Sequence, residues 1–240
     1  MRTFLIGLCL FFILPVVTAG NHANPEPSPI AIIGTGEVGA ALGVSWGRLG
    51  HPIIYGSRSP DSDKVRDLVA RSGDARAVSS TEAAQHADIV VMATPVKAAL
   101  ELLPRMGDLD GKILIDPMNA LTFDNERQRV GTYTERVAEQ VQALAKGAHV
   151  IKALSLTNVR NMNPERVFAE LISVPVAGDD PDAKRVVMQL VEELGLDATD
   201  VGELYNARYL EAMAPLYVYM NAFHRPPGGF EYHFTASPAD

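Results

Sequence analysis

The stretch IAIIGTGEVGAALG, Ile30–Gly43, decides the fold. Its first five residues form an apolar run of strand length, and the residues after Gly36 take up helical spacing. Between them Gly34, Gly36 and Gly39 stand in G-x-G-x-x-G order, with Gly43 one turn further on. In that setting the first glycine permits a tight turn, the second lets a pyrophosphate approach the backbone, and the third lets helix and strand pack closely. The helix start adds free N–H groups and the positive end of a dipole. A strand, a glycine turn and an amphipathic helix in this order predict a dinucleotide-binding unit.

Working outward, the next strand candidate is PIIYGS, 52–57, and it runs into Arg58 and Ser59. An acid at this place would bind the ribose hydroxyls of NAD. Ser57, Arg58 and Ser59 supply hydroxyls and a guanidinium instead, a donor set suited to a 2′-phosphate. Lys64 adds charge one or two turns later. The expected cofactor is therefore NADP(H).

Further strand candidates fall at 30–34, 75–79, 88–94, 112–116, 149–155 and 172–178. Their apolar runs are continuous, as in a parallel sheet covered on both faces. Helical faces fill the gaps: 37–49, a segment opening at Ser59-Pro60 and closing at Gly73, 95–106, 134–144, 181–194 and 207 to about 223. Such alternation predicts a doubly wound, Rossmann-type α/β sheet with a small C-terminal α/β extension. The expected organisation is a signal peptide or anchor (1–19), a Pro-rich linker (20–29), an NADP-binding unit (30–157) and the extension (158–240).

The first twenty residues pair Arg2 with an apolar core and end in VTA before Gly20, the order of a secretory signal peptide. Export to a periplasm or the medium is the expectation; the alternative is a cytoplasmic protein held by an N-terminal anchor. A homodimer and membrane association through this segment are both compatible with the sequence. The sole cysteine, Cys9, lies within it, so a processed chain has no thiol chemistry. The remaining composition is ordinary for a globular enzyme, 47% hydrophobic and 21% charged. A net charge of −8 without any basic run argues against a nucleic-acid partner.

The rest of the site is expected at the carboxyl ends of the strands. Thr94-Pro95 and Asn119 are candidate contacts for ribose or nicotinamide. Asp116 and Lys152 read equally well as site residues or as an internal ion pair. The six histidines show no metal-ligand spacing, and no metal is expected; His224, Glu231 and His233 are the nearest to a ligand set. No acid–base set is legible, which suits a reaction whose chemistry resides in the cofactor and its partner and needs mainly alignment.

GTGEVG, GSR and the run VPVAGDDPDAKRVVMQLVEELGLDATDVGELYNARYLEAMAPL resemble the NADPH-dependent reductases of the deazaflavin coenzyme F(420). The same fold forms the nucleotide domain of certain membrane ferric reductases. The resemblance implies that Thr35, Gly36, Glu37 and Val38 hold the pyrophosphate, and that Ser57 and Arg58 hold the 2′-phosphate. It further implies that GGFEYHF and the loop at Ser155 border the reacting rings; the family often carries His or Asn where this chain has Ser155. Hydride exchange between NADP(H) and a deazaflavin or flavin acceptor is the implied activity. The alternatives are a ferric-chelate or flavin reductase, and a non-catalytic NADPH-binding sensor subunit.

Overall fold

The computed structural model describes residues 27–235 except residue 169. The signal or anchor segment lies outside the described residues, as does the linker up to residue 26. The run Ile30–Ile33 forms β1, with all four side chains buried, and it sits inside an eight-stranded sheet. From it the chain alternates: α1 (Glu37–Arg48), β2 (Ile53–Gly56), α2 (Asp63–Ala70), β3 (Ala75–Val78), α3 (Ser80–Gln85), β4 (Ile89–Met92), α4 (Val96–Leu102) and β5 (Ile113–Asp116). A hairpin, β6 (Leu121–Asp124) with β7 (Arg129–Thr132), precedes α5 (Val137–Leu144) and β8 (His149–Lys152). The chain continues through β9 (Ser173–Gly178), α6 (Pro181–Glu192), β10 (Asp197–Asp200) and α7 (Ala207–Tyr219).

The strand order is β10-β9-β8-β5-β4-β1-β2-β3. The six strands from β3 to β8 are mutually parallel, in the order of a dinucleotide-binding sheet. The extension joins the same sheet, but with a reversal. β9 runs antiparallel to β8, and β10 runs parallel to β9. The expected parallel Rossmann-type sheet with an α/β extension at its edge is thus present, and the extension makes the whole sheet mixed. Among the described residues between β8 and β9 there is no α-helical crossover, only a short 3-10 turn at Val159–Asn161, and the chain returns antiparallel.

Helices cover both faces. Leu42, Trp46, Leu68, Val187 and Leu190 join the alternate residues of β1 and β2 in one core. Residues of α3, α4, α5 and α7 build the other against Ala31, Val90 and Leu114. The Trp46 indole N–H donates to the Leu190 carbonyl at 3.0 Å, tying α1 to α6. Tyr55 is buried under α1, donating or accepting with Ser72 Oγ at 2.8 Å, and burial pushes its phenol up to about 12. The second helix starts later than expected. Ser62 precedes its first residue, Asp63, while Ser59 and Pro60 belong to a turn.

Candidate functional site

The glycine turn behaves as its spacing requires. Gly34 has φ +115°, and a Cβ there would strike the carbonyl of Ala93. A Cβ at Gly39 would strike the carbonyl oxygen of Gly34, so that glycine is what lets α1 press on β1. Gly36 differs: a Cβ there would meet no protein atom within 4 Å. It precedes α1 with no side-chain cap, so the first-turn amides of Glu37, Val38 and Gly39 lack the partners that helix interiors provide. Bare backbone, free N–H groups and a helix dipole together make an anion cradle.

This cradle opens into a cleft of about 910 Å³ along the carboxyl ends of β1, β2 and β4. The cleft gathers Gly34, Thr35, Gly36, Ser57, Arg58, Ser59, Lys64, Thr94 and Pro95 from positions sixty residues apart. Ser57 Oγ accepts the N–H of Ser59 at 3.1 Å and shapes the turn that presents Arg58. Three cations line the cleft, Arg58, Lys64 and Arg105, and the first two stand beside the serines of the turn after β2. Arg66 and Arg71 bond acids of their own helix, Asp63 and Asp67, whereas Arg58 and Lys64 enter no ion pair among the described residues. Two uncompensated cations beside hydroxyls, at one end of a cleft whose middle is an anion cradle, suit a second phosphate group. Sequence reasoning missed Ser62, Ser80, Thr81, Ala98, Glu101, Leu102 and Arg105, which also line the cleft. Ser80 and Thr81 belong to α3, whose six residues are too short to show a helical period.

Beyond Pro95 the floor passes to β5 and β8, outside that cleft. Asn119 stands past the end of β5, and its Nδ2 donates to the Ser155 carbonyl at 2.6 Å. The Asn119 Oδ1 is buried without a hydrogen-bond partner, as are Thr94 Oγ1 and Thr157 Oγ1. Ser155 itself is buried and contributes its main chain rather than its hydroxyl to this contact.

Asp116 and Lys152 resolve as an ion pair at 3.1 Å, both side chains fully buried. Lys152 also donates to the Met118 carbonyl at 2.5 Å, while Asp116 Oδ1 accepts the Met118 N–H at 2.8 Å. Glu211 of α7 completes the group, 3.6 Å from Lys152 and accepting the N–H groups of Val137 and Ala138 at the start of α5. Charges taken this far from water persist only with such complete pairing. The network clamps the turn that carries Asn119.

The C-terminal segment lies back on the molecule. Phe230 N–H and carbonyl pair with the amide of Asn221, the Tyr232 carbonyl accepts from Ser173 N, and the Phe234 N–H donates to Ser173 Oγ. Glu231 accepts from Asn161 at 2.6 Å and from the Tyr217 hydroxyl at 3.0 Å. Burial raises the Glu231 carboxyl, and burial with the Glu231 charge raises the Tyr217 phenol. Phe230 and Tyr232 pack on the core to which Met118, Ala120 and Leu156 belong, against the ring of Tyr217. Among the described residues no cluster of His, Cys, Asp or Glu has the makings of a metal site, and no helix is long and apolar enough to cross a membrane.

Comparison with known proteins agrees with this geometry. Residues 29–120 match the family model described as NADP oxidoreductase coenzyme F420-dependent. The F420-dependent NADP reductase of Methanothermobacter thermautotrophicus is 30% identical over 216 residues, covering 82% of this chain and 90% of that protein. A crystal structure of a putative F420-dependent NADP reductase from an Arthrobacter species superposes with a TM-score of 0.76 at 27% identity. That match covers 88% of this chain and all of the other. The rat metalloreductase STEAP3 is 24% identical over 192 residues, covering 79% of this chain and 37% of that protein.

Proposed function

The chain belongs to the F420-dependent NADP reductase family, as an NADP-dependent oxidoreductase, and from that premise we propose that it exchanges hydride between NADP(H) and a deazaflavin acceptor. The observation that carries the reading is the pairing of the bare Gly36 cradle with the unpaired Arg58 and Lys64 in one cleft. NADPH held in this cleft would supply the hydride, and with a proton from water the acceptor would be reduced by two electrons, leaving NADP⁺.

The protein's part is to bind and align. The first-turn amides after Gly36, with Thr35, hold the pyrophosphate. Ser57, Arg58, Ser59 and Lys64 hold the 2′-phosphate, and the apolar side chains of Ala98 and Leu102 wall the adenosine end. Thr94, Pro95 and Asn119 face the nicotinamide half. Placing two ring carbons about 3–3.5 Å apart removes most of the entropic barrier to transfer, so no side-chain acid is required. On this reading the loop at Ser155 and the segment 230–234 would border the second ring system.

The test is oxidation of NADPH by the full chain, followed by stopped flow with a deazaflavin, a free flavin and a ferric chelate in parallel. Rapid turnover with the deazaflavin alone is expected. Turnover only with a flavin and ferric chelate would transfer the assignment to metalloreduction, and tight NADPH binding without turnover on any acceptor would make the chain a sensor.

A further inference from the structure

Asn119 carries an orientation that its position alone would not give. A carbonyl only accepts, so the Ser155 carbonyl at 2.6 Å must face the NH₂ group of the Asn119 amide. The amide is therefore fixed, and its Oδ1 points the other way, buried and without a partner. A buried acceptor left unsatisfied is costly, and native structures retain few of them. The turn cannot easily relax to bury it better, because Asp116 and Lys152 grip both the N–H and the carbonyl of Met118, one residue before.

The sheet says what should meet that acceptor. Going along the carboxyl edge, the strands succeed one another as β2, β1, β4, β5 and β8. Arg58 follows β2, the Gly36 cradle follows β1, Thr94 follows β4 and Asn119 follows β5. Neighbouring strands are about 4.8 Å apart, so Asn119 stands roughly 14 Å from the 2′-phosphate end. A dinucleotide laid along this edge has its phosphates over β2 and β1, its second ribose over β4 and its nicotinamide over β5. The group of that ring able to donate is the carboxamide NH₂.

We propose that Asn119, locked by the Ser155 carbonyl and the Asp116–Lys152 clamp, accepts a hydrogen bond from the nicotinamide carboxamide and so fixes the rotation of the reacting ring. The assignment rests on the dinucleotide reading above and goes beyond it by naming the atom that orients the ring. Asn119 is an orienting residue; Lys152 and Asp116 act through it.

Calorimetric titration of the full chain separates the two levels. Wild type is titrated with NADP⁺, with adenosine 2′,5′-bisphosphate, which has no nicotinamide, and with the 3-acetylpyridine analogue of NADP⁺, whose methyl ketone cannot donate. Wild type should bind the acetylpyridine analogue about tenfold more weakly than NADP⁺, the loss expected when a buried acceptor stays unpaired. In Asn119→Leu that discrimination should vanish, while affinity for the bisphosphate stays within about twofold of wild type, since its contacts lie elsewhere. Equal wild-type affinity for NADP⁺ and the acetylpyridine analogue would overturn the Asn119 assignment, with no variant needed. Discrimination that persists in Asn119→Leu would also overturn it. Failure of wild type to bind the bisphosphate would instead refute the NADP site itself.

Discussion

Replacing Arg58 with glutamate tests the cofactor assignment at its most exposed point. Arg58 is a solvent-facing side chain in no ion pair among the described residues, so its removal should cost little stability. Its loss to binding is another matter. A charge-assisted hydrogen bond is worth about 1.5–3 kcal/mol, or roughly 10- to 150-fold in affinity, at the level expected of Arg58→Ala. Glutamate adds repulsion of about 1 kcal/mol per phosphate charge at about 4 Å in a water-like medium. The combined expectation for Arg58→Glu is a loss of about 100- to 1,000-fold for NADPH, limited by what Lys64 still contributes. NADH lacks the phosphate, and the new carboxylate stands where an acid binds ribose hydroxyls, so its affinity should hold or rise. The assay is fluorescence titration with each cofactor at several salt concentrations, backed by the ratio of kcat/KM values. The salt dependence of NADPH binding should flatten in the variant, because one phosphate contact has gone. An NADPH-to-NADH preference unchanged within threefold would refute the role of Arg58 and, with it, the reading of the GSRS turn.

Three other outcomes follow from the geometry. Gly36→Val should keep the melting temperature of wild type, as a Cβ there meets no protein atom, yet weaken dinucleotide binding by at least roughly tenfold; Gly39→Ala should instead cost about 1–3 kcal/mol in urea unfolding, as its Cβ overlaps the Gly34 carbonyl. Lys152→Met leaves Asp116 and Glu211 buried without their cation and should destabilise by about 3–5 kcal/mol in the same measurement, whereas an unchanged midpoint would mean that the network is not held together by charge. For Glu231 the sign is set by burial: its folded carboxyl lies above the ordinary 4.5, so the folded chain holds its proton longer than the unfolded one. Its contribution is therefore most favourable below that value and declines as pH rises from 4.5 towards the raised folded value. Thermal melts of wild type and Glu231→Gln across that range should converge at the acid end and part above it.

The sequence was most legible where local chemistry and fold coincide. Most of the six parallel strands announced themselves as apolar runs, although β3 carries the exposed Arg76, and the glycines and Arg58 stood at fixed offsets from the first two. The β6–β7 hairpin did not, because LTFDNERQRVGT is polar and largely exposed, Phe123 included, and shows no buried face. The reversal of β9 was equally hidden: an apolar run such as SVPVAG has the same pattern in either direction, and only the connection before it decides. Ser59-Pro60 imitated a helix start that Ser62 provides. The site's deeper parts depend on distant pairs, Asn119 with Ser155 and Lys152 with Glu211, which only the folded chain brings together.

The reversal of β9 also separates two kinds of information in the chain. Running backwards from the cofactor edge, β9 delivers Asp179 and Asp180 to the opposite edge, where Asp180 stands 3.5 Å from His149 at the start of β8 and caps α6 through the Ala183 N–H. The run GDDPDAKRVVM therefore lies at the edge of the sheet opposite the Gly36 cradle, and outside the residues 29–120 that match the family model. The Asn119 and Ser155 turns, to which the proposed acceptor contacts belong, follow the carboxyl ends of β5 and β8 at the other edge.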